Sequence, residues 1–450
     1  MAKAKSNSKK ITLEDSLVPV EEQPYEVPEN WCWVKINSVS NVYTGNSINE
    51  RVKAEKYEGQ LEGVLFIATK DVDFDNSINY GTNVRITDPE NFKKAPANTT
   101  LLCIEGGSAG KKIGFTNQEV CFGNKLCAFA SDKIEPKYIY YFLQSDDFIY
   151  QFNDKKHGLI GGVSVKDLGD ILFPLPPLSE QQRIVEQIES LFAKLDEAKE
   201  KILSVVESFE LREKAIYKKA FEGNLTNSWR AENGINISDW EEIPFEKLGK
   251  LERGRSKHRP RNDKRLFDGK YPFIQTGDVA GAGMYVTSHK QTLSEFGFQQ
   301  SRMFPKGTLC ITIAANIGDA AILSYDCCFP DSVVGFTPGE KCLNKYMYFY
   351  LQEIKAELEY IAPATAQKNL NLKLLGKVEI KVPSLKEQEK IVEILEKQIN
   401  YQENVVEKAE NVIETIDVMK KSILAKAFRG ELGTNIETEE SAIELLKSIL

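Results

Sequence analysis

Leu178-Ser179-Glu180-Gln181-Gln182-Arg183-Ile184-Val185 returns as Leu385-Lys386-Glu387-Gln388-Glu389-Lys390-Ile391-Val392, an offset of 207 positions (178 to 385). Ala220-Phe221-Glu222-Gly223-Asn224-Leu225 returns as Ala427-Phe428-Arg429-Gly430-Glu431-Leu432 at the same offset (220 to 427), so no gap opens between the two landmarks. A solenoid repeats every few tens of residues. A period this long means a duplicated domain-plus-helix unit, and two such units imply pseudo-twofold symmetry.

Working outward, each landmark begins at a proline elbow (Pro174, Pro176 and Pro177; Pro383) and ends at a glycine suited to a helix C-cap, Gly223 or Gly430. Ser179 reads as an N-cap, with Glu180 in the first turn. Apolar residues then run Ile184, Ile188, Leu191, Leu195, Ala198, Ile202, Val205 and Phe209 in alternating steps of four and three, a coiled-coil seam. The second copy continues the pattern through Ile391, Leu395, Val405, Ala409, Val412, Ile416, Met419 and Ile423, with Gln398 and Gln402 on the seam. Polar seam residues fix register, so each helix is expected to pair with the other, antiparallel; an intermolecular coil is the alternative. From Ser179 to Phe221, at ~1.5 Å per residue, the rod is about 65 Å long.

The segments between the helices repeat as well. Phe66-Ile67-Ala68-Thr69-Lys70-Asp71-Val72 aligns with Phe273-Ile274-Gln275-Thr276-Gly277-Asp278-Val279, Leu102-Cys103-Ile104 with Leu309-Cys310-Ile311, and Cys121-Phe122 with Cys328-Phe329. Short apolar runs such as Val64–Ala68, Thr100–Ile104 and Leu126–Phe129 read as strands. Tyr138, Tyr141, Phe142, Phe148 and Phe152 form an aromatic helical stripe between Pro136 and Phe152 that reads as core. Loops between these landmarks are unalike: 76–85 does not match 280–287, nor 106–112 match 314–319. Shared strands with different loops suit two readers on one scaffold. The expected fold is α+β: two mixed α/β domains related by pseudo-twofold symmetry and separated by two long antiparallel coiled-coil helices. The boundaries are an N-terminal arm at 1–30, a first domain at 31–173, a first helix at 174–225, a second domain at 226–382 with its repeat starting at Trp240, a second helix at 383–432 and a tail at 433–450. The arm carries a short helix over Thr12–Leu17, and the acidic tail a short amphipathic one.

At 450 residues, 42% apolar and 10% aromatic, the chain can bury several ordinary cores. It holds no apolar run long enough to span a bilayer, and a polar, basic start at Met1–Lys10 suggests a cytoplasmic protein. Eight cysteines without a CxxC pair, beside three histidines, read as buried reduced thiols rather than a zinc site. The net charge of −8 does not exclude nucleic acid, because phosphate binding needs a local basic stripe rather than a basic chain. Arg253, Arg255, Lys257, Arg259, Arg261, Lys264 and Arg265 supply one, on a segment that Gly254, Pro260 and Asp263 mark as a loop. Without the surrounding repeat, such a run would read as a solvated loop.

Taken together, these fragments closely resemble the specificity subunit of type I restriction-modification systems over nearly the whole chain. The resemblance rests on the elbows and helix starts Pro174–Val185 and Val382–Gln388, and on the helix ends Ala220–Leu225 and Ala427–Leu432. Val27-Pro28-Glu29-Asn30-Trp31 and Asp239-Trp240, where the domains begin, complete it. Any one fragment is weak; six in order at fixed spacing are specific. The resemblance implies two target-recognition domains, each reading one half of a bipartite, asymmetric double-stranded DNA site, with the helices as spacer and docking surface. It implies no catalysis in this chain. Two modification subunits carrying S-adenosylmethionine would methylate adenine, and restriction/motor subunits using ATP and Mg would cut unmodified DNA.

The residues themselves agree that chemistry lies elsewhere. An adenine methyltransferase needs Asp/Asn-Pro-Pro-aromatic and a glycine-rich cofactor loop; the only Pro-Pro step, Pro176-Pro177, lies between leucines. Gly106-Gly107-Ser108-Ala109-Gly110-Lys111-Lys112 falls one residue short of a P-loop and lacks the following Ser or Thr. Asp331 with Glu379 and Lys381 only superficially suggests a nuclease centre, since Glu379 and Lys381 alternate with apolar neighbours as on a half-buried strand. No metal or cofactor is expected on this chain. Base readout favours Arg or Lys on guanine and Asn or Gln on adenine, while other basic and hydroxyl side chains position phosphates. The DNA-binding candidates in the first domain are Thr44, Asn46, Arg51, Lys70, Asn76, Asn79, Asn83, Arg85, Lys111, Lys112, Lys155, Lys156 and His157. Those in the second are Arg253, Arg255, Ser256, Lys257, His258, Arg259, Arg261, Lys264, Arg265, Thr276, His289, Lys290, Asn316, Gln367, Lys368 and Asn369. A coiled-coil adaptor for protein partners and a self-sufficient nuclease are the competing readings; the first predicts no DNA binding, the second metal-dependent cutting by the chain alone.

Overall fold

The computed structural model describes residues 12–157, 161–314, 316–362 and 370–450. Gln367, Lys368 and Asn369 lie outside them. The chain divides into two compact units, Met1–Lys201 with Asn411–Leu450, and Ile202–Glu410.

In the first unit, Asn41–Thr44, Leu126–Ala130, Thr100–Cys103 and Ile113–Phe115 form a four-stranded sheet in that order. A second sheet orders Arg85–Ile86, Val64–Ile67, Val120–Phe122 and Lys94–Ala95. The second unit repeats both. Gly249–Arg253, Val333–Pro338, Leu309–Thr312, Ala320–Leu323 and Tyr285–Val286 form one sheet; Gln291–Leu293, Phe267–Phe273, Cys327–Cys328 and Met303–Phe304 form the other. The correspondence extends to register: Phe66 pairs in parallel with Cys121, and Phe273 with Cys328. These strands alternate two buried faces: Leu101 and Cys310 pack between the sheets, whereas Leu102 and Ile311 pack in the cores shared with the helices, all fully enclosed or nearly so. The aromatic stripe lies in the core as read, but as two helices, Pro136–Phe142 and Asp146–Asp154, because Ser145 breaks the run and caps the second by accepting from Phe148 N at 3.2 Å.

The long helices are Leu178–Phe221 and Leu385–Phe428, 44 residues each. In the first unit Ile184, Val185 and Ile188 share a core with Leu424, Ala427 and Phe428; in the second, Tyr217, Ala220 and Phe221 share one with Ile391, Val392 and Leu395. The start of one helix therefore meets the end of the other in each unit, which is antiparallel pairing. The seam read from sequence needs correction in its middle. Val205, Val412 and Met419 are 44, 46 and 47% exposed, and Gln398 is exposed, whereas Val206, Ile399 and Ile413 are partly buried. Burial passes to the neighbouring residues Val206, Ile399 and Ile413 there and returns to the read register at Phe209 and Ile416, so the displacement is local. Leu191, Leu195, Ile202 and Val405 are half-buried, and Ile184, Ile188, Phe209, Ile391, Leu395 and Ile416 buried.

Ser179 is a second correction. The first helix begins at Leu178, with the Pro177 carbonyl accepting from Glu180 and Gln181 N, so Ser179 sits inside it and donates its hydroxyl to Glu439 at 3.0 Å. In the second copy Ser384 occupies the cap, its hydroxyl accepting from Glu387 N at 3.4 Å. Gly223 and Gly430 end the helices at φ 79° and 73°, the left-handed conformation expected of a C-cap.

The repeated Glu-Gln pair explains why these positions recur. Glu180, Gln181, Glu387 and Gln388 are fully buried. Gln181 accepts from Glu135 N at 2.9 Å and donates to the Pro176 carbonyl; Gln388 accepts from Leu343 N at 2.8 Å and donates to the Pro383 and Lys341 carbonyls. Each glutamate holds the tryptophan where its domain begins, Trp31 to Glu180 at 2.7 Å and Trp240 to Glu387 at 3.0 Å. Thr226 and Arg230 also bind Glu387, whereas Glu180 receives Asn435 and Thr434 from the C-terminal segment. That segment is tied down by Arg183 to Glu439 and by Ala442 N to the Asn30 carbonyl, and its helix Ala442–Ile449 buries Ala442 and Leu446.

Candidate nucleic-acid interface

The loop after strand Asn41–Thr44 and the loop after strand Gly249–Arg253 are the same structural position. In each, a glycine lets the backbone approach so closely that a Cβ would collide with main chain: Gly45 against the Phe122 carbonyl, Gly254 against Phe329 and Pro330. The next residue then hydrogen-bonds across, Asn46 N to the Phe122 carbonyl at 2.9 Å and Arg255 N to the Phe329 carbonyl at 3.0 Å. Asn46 and Arg255 are thus unlike side chains projected from equivalent scaffold positions.

In the first domain, Asn76, Lys111 and Lys156 line one cleft of about 360 Å³ with Gln144. Asn76 adopts φ 69° and donates to Gln144 at 2.9 Å. Lys156 reaches Asn153 at 2.7 Å and lies over Phe152, while Lys112 lies over Phe74 and reaches the Thr69 carbonyl. Other candidates serve local structure. Asn46 accepts from Lys93 N, Arg51 pairs with Glu55 at 2.7 Å, Asn79 accepts from Gly81 N and Arg85 donates to the Gly63 carbonyl. His157 lies 4.0 Å from Asp167. Lys70 and Asn83 are exposed; Thr44 and Lys155 are half-buried. Gly106–Lys112 is a turn between two strands, not the strand-to-helix crossing a P-loop requires.

In the second domain the basic loop is laced by two acids. Arg261 grips Asp331 through both carboxylate oxygens at 2.9 and 3.0 Å, and Arg253 donates to the Asp331 carbonyl. Asp263 binds Arg265 and His258; the Arg265 side chain, its backbone amide and then His258 hold that carboxyl well below the usual carboxylate range. Arg259 donates to the Ser256 and His258 carbonyls. Lys257 and Lys264 are exposed, as are Lys290 and Asn316; Ser256 and Thr276 are half-buried, and His289 meets the Tyr325 hydroxyl at 3.2 Å. Arg255, Ser256 and Arg261 line one pocket with Gln275 and Gln300, two amides that sequence reasoning missed because neither lies within the basic run.

Among the described residues no group of three His, Cys, Asp or Glu is placed to hold a metal ion. Asp331 is engaged by Arg261, and Glu379 and Lys381 point outward from an edge strand that alternates exposed and buried. All eight cysteines are buried free thiols; burial pushes Cys121 and Cys328 up to about 11, and Cys127 and Cys327 up to about 12. No helix is long and apolar enough to cross a membrane among the described residues.

A family model for the type I restriction modification DNA specificity domain matches residues 28–208 and again 237–415, the two repeats. The chain is 24% identical over 458 residues to the type I restriction enzyme EcoBI specificity subunit of Escherichia coli, covering 94% of this chain and 92% of that one. It is 20% identical over 464 residues to the StySPI specificity subunit of Salmonella potsdam, covering 94 and 96%. Its fold is similar to that of a chain solved in work on complex assembly and conformational transition of the type I R-M system, with a TM-score of 0.72 at 18% identity over 91% of this chain and 100% of that one. The HsdS subunit from Thermoanaerobacter tengcongensis is similar at a TM-score of 0.58, 18% identity and the same coverage. The duplicated two-sheet scaffold, its unlike loops and the family match covering both copies lead to one assignment: this chain belongs to the type I restriction-modification specificity family and is a non-catalytic DNA specificity subunit.

Proposed function

We propose that each recognition domain, within 31–173 and 226–382, reads one half of a split, asymmetric DNA sequence, and that partner subunits act on the site so selected. The observation that carries this reading is one scaffold built twice with different loops, down to Asn46 and Arg255 at equivalent positions. Identical readers would select a palindrome; unlike readers select unlike halves. The chemistry then belongs to two modification subunits that use S-adenosylmethionine to methylate adenine, and to restriction/motor subunits that use ATP and Mg, all in the cytoplasm. The basic loop of the second domain and the lysine-lined cleft of the first supply phosphate contacts, so binding should weaken steeply with salt through counterion release. This distinguishes the reading from an adaptor that binds only proteins.

Mapping methylated adenines in a host with and without the gene tests the proposal. A split motif should vanish with the gene, and exchanging residues 31–173 for another recognition domain should alter one half alone. A map that is unchanged by deletion would defeat it.

A further inference from the structure

We propose that the pocket beside Arg255 is the base-reading centre of the second recognition domain, with Arg255 taking the O6/N7 edge of a guanine and the amides of Gln275 and Gln300 serving the neighbouring base pair. This rests on the function proposed above and deepens it. The pocket holds about 120 Å³ and sets Arg255, Gln275, Gln300 and Ser301 over an apolar wall of Phe267 and Phe273.

Arg255 differs from its arginine neighbours in having nothing to hold. Arg253, Arg259, Arg261 and Arg265 all donate to protein oxygens, whereas no side-chain hydrogen bond or ion pair engages Arg255 among the described residues. Its Nε is nevertheless buried and without an acceptor. A buried guanidinium donor left unmade is costly in the free protein, and its retention points to an acceptor supplied by a ligand. The backbone that carries it is fixed, through the close approach of Gly254 and the bond from Arg255 N to Phe329, so the side chain leaves the scaffold from a set point. The amide nitrogen of Gln275 donates to Gln291 at 2.6 Å, which leaves its oxygen as the acceptor. Gln300 is held by its main chain, accepting from Lys257 N at 3.2 Å, with no side-chain hydrogen bond among the described residues. A planar fork and two amides are the groups that discriminate guanine and adenine in the major groove. Exposed Lys257 and Lys264 on the same loop are left for the phosphates.

The test uses the full methylating complex and the split motif mapped for it, the second domain's half being the one unchanged when residues 31–173 are exchanged. Each guanine in that half is replaced in turn by 7-deazaguanine, which removes N7 alone. One position should weaken binding by roughly 5- to 100-fold. Arg255→Ala should bind the natural and substituted duplexes equally, and its methylation map should become degenerate at that position while the other half stays fixed. Arg255→Lys, which keeps the charge but loses the fork, should relax the same position. The proposal is overturned if no guanine in that half responds, if the half contains none, or if Arg255→Ala lowers methylation evenly with the motif intact, as a phosphate contact would. Should Arg255→Ala fail to assemble, the 7-deazaguanine scan on the unaltered complex decides alone. Absence of any split motif in the unaltered system would instead defeat the underlying function.

Discussion

Replacing Arg230 by Leu removes the cation bonded to Glu387. That carboxylate is completely enclosed and accepts from Arg230 at 2.6 Å, Thr226 at 2.7 Å and Trp240 at 3.0 Å; Arg230 itself is almost fully buried and also caps the Gly223 carbonyl at 2.5 Å. Breaking a buried ion pair by deleting one partner typically costs about 3–5 kcal/mol, mostly because the remaining charge is stranded. Two neutral donors remain on Glu387, which places the expected loss at the lower end, about 3 kcal/mol. Amide exchange at the start of the second long helix, residues 385–395, should then accelerate on the order of 100-fold. The equivalent peptide at 178–188 is an internal reference, because Glu180 is held by Trp31, Asn435 and Thr434 and, among the described residues, by no bonded arginine. Adding Glu387→Gln should recover about 1–2 kcal/mol, not all of it, since the Gly223 carbonyl stays uncapped. A double variant as unstable as Arg230→Leu alone would show that the stranded charge is not the source of the loss, and would refute the reasoning.

The C-terminal segment should attach most firmly near the ordinary glutamate range, about pH 4.5. Arg183 depresses Glu439, so that contribution is present above this range and lost as the pH falls through the lowered value; burial raises Glu180, whose contribution is present below the range and lost as the pH climbs through the raised value. Protection of residues 434–449, taken from the exchange rate relative to the intrinsic rate at each pH, should therefore pass through a maximum between pH 3 and 8, and Glu439→Gln should abolish its acid limb. Gly430→Ala, which forces a side chain into φ 73° and against Pro28, should destabilise the protein by roughly 1–3 kcal/mol and lower its melting temperature; an unchanged transition would contradict the cap geometry. Native protein at pH 8 should leave all eight thiols unreactive toward a disulfide reagent until denaturant is added, because burial suppresses both access and thiolate formation. Rapid labelling of Cys127 or Cys327 would show those cores to be open.

The duplication and the two rods were legible because they depend on contacts that tolerate little variation. A buried Glu-Gln pair must bond the same main-chain atoms in each copy, so its letters recur; the glycines at φ 79° and 73° recur for a backbone reason. The seam was legible at its ends, where Ile184, Ile188, Ile391 and Leu395 face a packed domain, and blurred at Val205, Val412 and Met419, which stay exposed where no such core selects the buried face. Ser179 misled because a proline carbonyl served the cap and freed the hydroxyl for Glu439. The candidate interface was less legible still. Composition gave the basic loop, but which of its arginines are spent on Asp263 and Asp331 depends on chain separated by up to 78 residues, and Gln275 and Gln300 carry no local signature.

The way each head is fastened bears on how such proteins can diversify. Gln181 and Gln388 bind main-chain amides of the heads, at Glu135 and Leu343, and the adjoining glutamates bind the indoles of Trp31 and Trp240 together with side chains next to the helix ends, none of them in a recognition loop. Backbone atoms are indifferent to the side chains above them, so mutational drift in the loops leaves the fastening undisturbed. A lineage carrying this joint can explore new targets by recombination at its borders, with selection acting on what is read and almost none of it on how the piece is mounted.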